Sequence, residues 1–518
     1  MRKKKIRWLV SPALALVLMF VVNGVVSAQT AGPSGQELAT ATNIMWTLIA
    51  GFLVFFMQAG FALVETGFTR AKNVTHTMMM NMMVFCIGAI GYWLVGFAFQ
   101  FGGVNFLVAK VGGADAFSFA PTTLGDFSGH LDRFLIRFGQ AGILGGNGFL
   151  LQGLRNGGGI LAFFLFQMVF MDTAATIPTG AMAERLKFVG FCLMGLWVSM
   201  VVYPLVGGWV WGGGWLANLG RTAGLGNGAV DFAGSGVVHM IGGAVAFAGA
   251  LALGPRIGRF NPDGTANAMP GHNIPMGILG TIILFFGWFG FNPGSALAFT
   301  GTGQSLAVNA AINTLLAGGA GGVAAMLIMW LFGPSRKPDP GLSVNGILAG
   351  LVAITAPCAF VSSWASVVIG TVAGIIVCLA TFQLERWRID DPVGAVPVHF
   401  FNGLWGVLAV GIFADGNAAS AGWNGVAGAV TGLFYGSGTQ IVAQLMEAGS
   451  VIVFAGALSF AFFKVLGALK LLRSDPKDEL MGLDVPEMGT QGYSSVDVHM
   501  HGNALPRQSP RVSGTGGR

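Results

Sequence analysis

Residues 234–250 read GSGVVHMIGGAVAFAGA, and residues 393–413 read VGAVPVHFFNGLWGVLAVGIF. Each of these apolar stretches carries one histidine, His239 or His399, which lies eight residues after an aspartate and within the pattern V-H-x-x-x-G. A polar ring in apolar surroundings has to be hydrogen-bonded or functional. The repeated spacing and pattern therefore predict two copies of one structural unit, each placing an imidazole at the same depth.

The composition of the whole chain is that of a membrane protein. It has 518 residues, of which 54% are hydrophobic and only 9% are charged, whereas about 25% of the residues of a soluble protein are charged. A helix needs roughly 20 apolar residues to cross a bilayer, so the chain has room for about ten or more spans. The net charge of +6 comes from basic loops and does not indicate a nucleic-acid surface. The sequence predicts an all-α polytopic membrane protein.

The first 28 residues have the pattern of a secretory signal peptide. A basic run at residues 1–7 is followed by an apolar stretch at 9–26 and a small-residue site that ends at Ala28. This order of segments predicts cleavage before Gln29. The alternative is an uncleaved first helix, and in both cases we expect the mature chain to start outside the cell.

Apolar runs between turn signals predict eleven transmembrane helices. They lie near residues 44–66, 78–101, 158–181, 187–208, 234–254, 274–297, 305–332, 342–358, 363–384, 396–414 and 438–470. Alternate loops are basic, from Arg70 and Lys72 after the first run to Lys470, Arg473 and Lys477 after the last. Because basic loops stay in the cytoplasm, we expect a protein of the inner (plasma) membrane with its N-terminus outside and its C-terminus in the cytoplasm.

This topology divides the chain into three parts. We expect a signal peptide at 1–28, a membrane domain at 29–473 and a cytoplasmic tail at 474–518. The membrane domain includes a long periplasmic insert at about 102–157, for which a lid, a trimer contact and inert surface are the alternatives. The four cysteines follow no disulfide or metal-binding pattern and are expected to be packing residues.

A second internal similarity supports a repeat. The motif F-F-x-x-x-G-F occurs at residues 55–61 and again at 285–291, an offset of 230 residues, whereas the two histidines are 160 residues apart. The difference fits an insert that is present in the first unit only. Because each unit has an odd number of spans, the second must enter the membrane from the opposite face, as in transporters with inverted repeats and a binding site near the midplane.

Seven motifs resemble those of the ammonium transporter (Amt) family, within the wider ammonium transporter and Rhesus group. They are AMAERLKF, YPLVGGWVWGGG, DFAGSGVVH, GWFGFNPGS, ITAPC, DDPVGAVPVH and LMGLDVPEMGTQGY, and the match runs from about residue 42 to residue 493. The resemblance implies eleven transmembrane helices, arranged as two five-helix inverted repeats plus a long eleventh helix, in a homotrimer. It also implies transport of ammonium rather than enzyme activity, with no cofactor and no metal.

The motif residues, carried over from the family, would form a path through each protomer. Phe166, Trp211 and Ser295 would bind NH4+ at the outer mouth, where an indole face attracts a cation by roughly 0.5 to 2 kcal/mol and a hydroxyl replaces a lost water. Two stacked rings would close the pore below this site, and two imidazoles would relay protons at its centre. The rings are those of Phe170 and Phe291, and the imidazoles are those of His239 and His399.

Four further residues would support this path, namely Asp231, Trp288, Asn292 and Thr355. The family has an acidic residue beside the outer site at the position of Asp231, although an aspartate just before a predicted helix is first of all an N-terminal cap. Trp288 and Asn292 belong to GWFGFNPGS, whose later residues could interrupt a helix near the outer surface. Thr355 would provide a polar contact farther in.

An apolar pore of this kind would select its substrate by charge. A cation pays tens of kcal/mol in the idealised limit to enter it, so a buried ion gives up its charge instead. Ammonium can lose a proton and cross as NH3, whereas K+ has no proton to lose. Neutral imidazoles have one donor and one acceptor each and can pass the proton between rings. We therefore expect NH3 conduction with separate proton transfer, and the sequence leaves open whether transport carries net charge.

Three alternatives use the same residues. Without the resemblance, His239 and His399 could be two unrelated core histidines that are bonded to backbone. The same fold could serve as an ammonium sensor, or transceptor, which signals through its tail and a PII-type partner. Two intramembrane histidines could also ligate haem in a redox protein.

The tail and the other histidines give less specific signals. Residues 479–493 match a cytoplasmic segment that in relatives lies under the trimer and helps to dock PII-type nitrogen regulatory proteins, whereas residues 494–518 depart from it and are expected to be disordered. The other histidines lie in predicted loops or in the tail and are expected at the surface, and they are His76, His130, His272, His499 and His501.

Overall fold

The computed structural model of the chain describes residues 32–103, 108–111, 114–117, 134–139, 141–152 and 158–493. Four predictions fall wholly or partly outside these residues. They are the signal peptide at 1–28, much of the insert at 102–157, the disordered segment at 494–518 and the surface positions of His130, His499 and His501.

The described residues form a mostly helical, multi-pass membrane domain, as the sequence predicts. Ten of their helices are long and apolar enough to cross a membrane, and α8 is a shorter apolar helix of 16 residues. In chain order the helices are α1 (Gly35–Phe68), α2 (Ala71–Phe101), α3 (Gly158–Met182), α4 (Phe188–Val210), α5 (Ser235–Leu253), α6 (Ile274–Ala296), α7 (Thr302–Phe332), α8 (Pro340–Thr355), α9 (Ser363–Arg386), α10 (Val396–Phe413) and α11 (Gln440–Ala468). Each overlaps one of the apolar runs predicted from the sequence.

Polar side chains at the N-termini explain where several helices begin. Ser34 and Glu37 form a reciprocal capping box at the start of α1, in which each side chain accepts the other residue's backbone N–H. Asn273 at α6 and Asp339 at α8 each accept one N–H of the first turn. These caps satisfy N–H groups that have no partner within the helix.

The structure corrects one prediction at the start of α2. This helix begins at Ala71 rather than near residue 78, so His76 lies on a helix and is fully buried instead of lying at the surface. Neither ring nitrogen of His76 has a hydrogen-bond partner. The burial of His76 comes from a segment 408 residues later in the chain, since the His76 backbone N–H donates to the carboxylate of Asp484 at 2.9 Å. The C-terminal segment therefore covers the start of α2, which the sequence analysis predicted to be an exposed loop.

The contact between α1 and α6 is unusually close. A Cβ atom on Gly60 would lie 2.9 Å from the Gly280 carbonyl oxygen, and one on Gly280 would lie 2.6 Å from the Gly60 carbonyl oxygen. Only glycine allows the two backbones to approach in this way, as is common between membrane helices. The two helices that carry the copies of F-F-x-x-x-G-F are therefore in direct contact.

The described part of the insert contains two antiparallel hairpins. They are formed by β1 (Val108–Val111) with β2 (Ala114–Phe117), and by β3 (Phe134–Phe138) with β4 (Ala141–Gly145). The second hairpin is joined to the end of α4, since the indole N–H of Trp209 donates to the Ile143 carbonyl at 2.9 Å. The second hairpin is thus fixed to the end of the bundle at which α2 finishes and α3 begins.

Buried charges connect the loops at the other end of the bundle. Glu184, between α3 and α4, accepts hydrogen bonds from Arg70 and Arg256. Arg256 also donates to both carboxylate oxygens of Asp390, at 2.8 and 3.0 Å. Burial alone would raise the pKa of Asp390, but the hydrogen bonds and charge of Arg256 hold this pKa below its usual value. We call Arg70, Glu184, Arg256 and Asp390 the loop charge cluster.

The C-terminal segment folds back onto these loops. It contains two short helices, α12 (Pro476–Met481) and α13 (Asp484–Met488). Glu479 accepts the backbone N–H of Ile257 at 2.7 Å, and the Lys72 ammonium donates to the Glu479 carbonyl at 2.8 Å. The segment thereby joins the loop between α5 and α6 to the start of α2.

Candidate functional site

The two helices that carry the paired histidines, α5 and α10, begin in the same way. The Asp231 carboxylate accepts three backbone N–H groups at the start of α5, at 2.8 to 2.9 Å, and Asp391 accepts two at the start of α10, at 2.7 and 2.9 Å. A widened π-helical turn follows in each case, at Ser235–Met240 and at Val396–Phe401, and it contains the histidine. Such turns are frequent at functional sites. The eight-residue spacing seen in the sequence is therefore a helix cap followed by a wide turn.

The two histidines meet inside the domain. The Nδ1 atoms of His239 and His399 are 3.2 Å apart, and the ring planes differ by 21°. His239 is fully buried and His399 is 5% exposed. When both rings are neutral, one Nδ1 donates and the other accepts, so the two rings have opposite tautomers. The Nε2 atom of His239 has no hydrogen-bond partner, which leaves it able to interact with a molecule beside it.

Aromatic rings continue from this pair in a row. Phe291 lies 5.4 Å from His239 between ring centroids, and Phe170 stacks on Phe291 at 3.9 Å with 19° between planes. Phe166 follows at 4.4 Å from Phe170. All three phenylalanines are at most 1% exposed. The two histidines and these three phenylalanines form one continuous buried row.

A cavity lies at the Phe166 end of the row. We call it the Trp211 cavity, and its lining includes Phe166, Phe170, Trp211, Asp231 and Ser295. The three residues predicted to form the outer binding site are therefore together in the structure, although they come from three different helices. The predicted gate ring Phe170 also faces this cavity.

Hydrogen bonds orient the polar groups of the Trp211 cavity. The indole N–H of Trp211 donates to the Asp231 carbonyl at 2.7 Å, which fixes the ring. The Ser295 hydroxyl donates to the Phe291 carbonyl at 2.9 Å, so its own oxygen can still accept a hydrogen bond. Burial raises the pKa of the Asp231 side chain to about 6, even though backbone N–H groups oppose the shift. The cavity thus combines an aromatic face, an acceptor and an acidic group.

The other three predicted residues lie behind the row. The Trp288 indole stacks on the His239 ring at 5.1 Å with 17° between planes, and its N–H donates to the Thr355 hydroxyl at 3.0 Å. Thr355 therefore acts on His239 through Trp288 in this structure, and it is not among the residues that line the Trp211 cavity. The Asn292 amide donates to the Thr314 hydroxyl at 2.9 Å, where α6 departs from regular helix.

A second cavity lies at the His399 end of the row. We call it the Glu65 cavity, and its lining includes Phe61, Glu65, Asn345, Gly394 and His399. Sequence reasoning missed Glu65 and Asn345 as site residues. Glu65 did carry a signal, because an ionisable residue inside an apolar helix indicates function. Asn345 carries no comparable local signal.

The histidine pair does not have the geometry of a bis-histidine haem site. The two axial imidazole nitrogens of a haem lie on opposite sides of the iron at about 2 Å each, so they are about 4 Å apart, whereas the two Nδ1 atoms lie 3.2 Å apart. Within the described parts of the chain, no group of three His, Cys, Asp or Glu residues could hold a metal ion. The arrangement gives the haem alternative no support.

Comparison with known proteins shows which family shares this sequence. Residues 45–493 match the family model described as the Ammonium Transporter Family. The chain is 42% identical over 484 residues to the ammonium transporter Amt2 of Archaeoglobus fulgidus, a match that covers 92% of this chain and 94% of that protein. It is 37% identical over 488 residues to a putative ammonium transporter of Synechocystis sp., with 94% and 96% covered.

Solved structures share the fold as well as the sequence. A protein named Sensor Amt Protein is 33% identical and superposes with a TM-score of 0.71, over 87% of this chain and 99% of that chain. Mep2 of Candida albicans is 26% identical and superposes with a TM-score of 0.68, over 85% of this chain and 87% of that chain. The similarity thus extends over most of the helices described above.

Proposed function

The chain belongs to the ammonium transporter family, and on this premise we propose that it binds NH4+ in the Trp211 cavity, removes one proton and conducts NH3 to the Glu65 cavity while the proton crosses separately. The observation that carries the proposal is the continuous row of buried rings between the two cavities, with two facing imidazoles in it. Aromatic rings cannot replace the water ligands of an intact cation, whereas NH3 needs few hydrogen bonds.

Recruitment would use the groups that line the Trp211 cavity. The face of the Trp211 indole attracts a cation by roughly 0.5 to 2 kcal/mol. The Ser295 hydroxyl oxygen can accept one N–H of NH4+ and so replace a water, and the charge of Asp231 adds longer-range attraction. The stacked rings of Phe170 and Phe291 lie directly beyond, so the ion is held where it has to lose its proton before it proceeds.

Proton transfer would follow the histidine pair. One N–H bond of NH4+ breaks, NH3 remains, and the proton passes the rings of Phe170 and Phe291 through water to the His239 ring, whose Nε2 has no other partner. The imidazolium then passes a proton across the 3.2 Å between the two Nδ1 atoms to His399. A neutral molecule and a proton therefore travel in the same direction by different carriers, and K+, which has no proton to give, is rejected.

The membrane arrangement is part of the proposal. We propose that α1 to α11 all cross the membrane, and that α1–α5 and α6–α10 are inverted repeats to which α11 is added. We also propose that three protomers assemble as a homotrimer and that each protomer has its own pore. The matching starts of α5 and α10 and the contact of α1 with α6 support the repeat. The Trp211 cavity then faces outside and the loop charge cluster faces the cytoplasm, with residues 1–28 removed as a signal peptide and the C-terminus inside.

Alanine substitution of each histidine tests this function. The variants His239→Ala and His399→Ala each remove one ring of the pair. In liposomes, the ammonium flux of either purified variant should be at least tenfold lower than that of wild type, or the variant should begin to conduct K+. His272→Gln is the matched control, because His272 lies in a loop and bonds to Thr69 and Tyr493 rather than to the row. Histidine variants that keep both full flux and discrimination against K+ would refute the proposed pore.

A sensor function is the second candidate, and it has its own support. The similar structure named Sensor Amt Protein matches 99% of its own length, and the segment 476–493 contacts two loops of the membrane domain. We infer that this segment is also where a cytoplasmic PII-type protein would dock. Hydrogen–deuterium exchange of residues 476–493 should then change when ammonium is added, and a purified PII-type protein should bind the full chain. Unchanged exchange together with no binding would exclude this role.

A further inference from the structure

Glu65 is a buried carboxylate that the transport path above does not use. It lies on α1, is 3% exposed, and belongs to none of the ion pairs formed by the described residues. One carboxylate oxygen accepts the Asn81 amide N–H at 2.7 Å. An ionisable side chain without a counter-charge is costly inside a membrane, and such residues usually mark a path for ions or protons.

The carboxylate shares a cavity with the last ring of the row. Glu65 and His399 both line the Glu65 cavity, and Phe61, one turn earlier on α1, lies 6.3 Å from His399 between ring centroids. The lining of this cavity includes the polar side chains of Glu65, Asn345 and His399, and the cavity has room for a water molecule. A water molecule there would lie between groups that can give and take a proton.

The internal repeat places Glu65 opposite a residue of the recruitment site. The offset of 230 residues that pairs Phe61 with Phe291 also pairs Glu65 with Ser295. The structure preserves the correspondence, because each of these phenylalanines lies against one of the two histidines, at 6.3 and 5.4 Å, and Glu65 and Ser295 line the two opposite cavities. A neutral hydroxyl stands at one mouth of the pore, and a carboxylate stands at the equivalent place of the other.

Three helices hold the partner of this carboxylate in place. The Asn81 carbonyl on α2 accepts the Gln58 amide N–H at 2.5 Å. Gln58 on α1 in turn exchanges hydrogen bonds with the Thr176 hydroxyl on α3, at 3.1 and 3.2 Å. The Asn81 amide also donates to the Thr77 carbonyl at 3.0 Å. Asn81 is therefore held by neutral groups, and nothing in this set neutralises the carboxylate of Glu65.

We propose that Glu65 is the inner proton acceptor of transport, an inference that rests on the proposed function. The N–H bond of the protonated His399 ring breaks, its proton binds a Glu65 carboxylate oxygen, and His399 becomes a neutral imidazole again. The resulting carboxyl group then releases the proton to the cytoplasmic side and returns to carboxylate. One NH3 and one H+ reach the cytoplasm for each NH4+ that was bound, so charge and atoms balance.

The variant Glu65→Gln tests this role. Glutamine keeps the size of the side chain and an oxygen for Asn81, but it cannot carry a proton. Asp415→Asn is the control, since it removes another carboxylate, half-buried just after α10, that lines neither cavity. Both proteins are reconstituted in liposomes and given an ammonium chloride gradient. Current on a solid-supported membrane reports the proton, and uptake of 15N-labelled ammonium into the vesicles reports NH3.

We expect Glu65→Gln to lower the current at least tenfold and NH3 entry less than twofold, with Asp415→Asn within twofold of wild type in both. A wild-type current in Glu65→Gln would overturn the role of Glu65. A parallel loss of current and NH3 entry in a folded protein would also overturn it, because it would show a purely structural role. If Glu65→Gln does not fold, Glu65→Asp is tested in its place. This variant keeps a carboxyl group and must therefore keep the current. A Glu65→Asp protein that loses the current while NH3 entry stays intact would contradict the proposal.

The two proposals fail in different ways. If the wild-type protein admits NH3 but carries no current, the proton relay of the proposed function is wrong, and Glu65 loses its role with it. If the wild type carries current and Glu65→Gln carries the same current, the relay stands and only the assignment of Glu65 is wrong.

Discussion

Thr355 was predicted to provide a polar contact within the pore, but in the structure it holds another side chain in place. Its hydroxyl holds the indole N–H of Trp288, and Trp288 stacks on His239. Thr355→Val leaves a buried donor without its partner, which costs about 1 to 3 kcal/mol, and allows Trp288 to tilt. We expect the maximal ammonium flux to fall about fivefold or more with the concentration for half-maximal flux unchanged, since about 1 kcal/mol corresponds to that factor.

A matched substitution separates this effect from the general loss of a hydroxyl. Thr381 on α9 donates only to the carbonyl one turn earlier in its own helix, so Thr381→Val should leave flux unchanged. Initial rates in liposomes over a range of ammonium concentrations provide the measurement. A Thr355→Val protein with normal maximal flux and weakened apparent affinity would contradict the indirect role.

Asp231 gives the Trp211 cavity a pH dependence. Burial raises the pKa of its carboxyl group to about 6, so the group gains its negative charge as the pH rises from about 5 to about 7. Because Asp231 lines the cavity, the apparent affinity for NH4+ should improve severalfold over that interval. Glu447 on α11 is the acidic neighbour of Asp231. Currents recorded over a range of NH4+ concentrations at each pH between pH 5 and pH 7 check this, and an affinity that does not change would disprove it.

Among the elements, α12 depends on one ion pair for its position. The Arg473 guanidinium donates to Glu479 at 2.9 Å, and the same carboxylate accepts the Ile257 backbone N–H. Glu479→Ala removes both contacts, so we expect α12 to leave the loops and a protease to cut between residues 473 and 493 severalfold faster. Asp475→Asn, an exposed acid at the start of α12, is the control. Equal cleavage rates of the two variants would show that the pair does not hold the segment.

The loops between the helices depend on the loop charge cluster in a pH-dependent way. The pKa of Asp390 is held below its usual value in the folded protein, so its contribution to stability is complete above about pH 4 and is lost as the pH falls below that. Asp390→Asn leaves Arg256 buried without this partner, and breaking a buried pair costs about 3 to 5 kcal/mol. Thermal unfolding in detergent should show a lower Tm for the variant at pH 7 and a smaller difference on acidification below pH 4. A difference that grows with acidification would contradict the assignment.

At the scale of the whole molecule, the outer helices of a single chain leave large apolar side chains exposed. On α7 these include Ile312, Leu315, Val323 and Trp330. Lipid and neighbouring protomers are the two partners that can cover such surfaces, and the proposed homotrimer assigns part of them to protomer contacts. Native mass spectrometry in mild detergent should therefore give three times the mass of one chain. A monomer that remains monomeric after gentle solubilisation and retains ammonium flux would exclude the trimer as the working unit.

The membrane fold, the family and the approximate positions of the helices could be predicted from the sequence and were confirmed, except that α2 begins at Ala71 rather than near residue 78. Long apolar runs, caps such as Asp231 and loop charges are local properties, so each helix can be predicted from the residues that form it. The sequence also indicated a repeat through the matching surroundings of His239 and His399. The roles of individual side chains depend on contacts between helices, so those assignments remain predictions and proposals.

Only the tertiary structure decided which side chains share a cavity. Glu65 lies with His399, Thr355 reaches His239 through Trp288, and His76 is covered by the C-terminal segment. Each of these relations joins helices or segments that are far apart in the chain, so no local pattern encodes it. The physical reason is that burial and partnership depend on how the helices pack against one another, which follows from the whole fold rather than from any one segment.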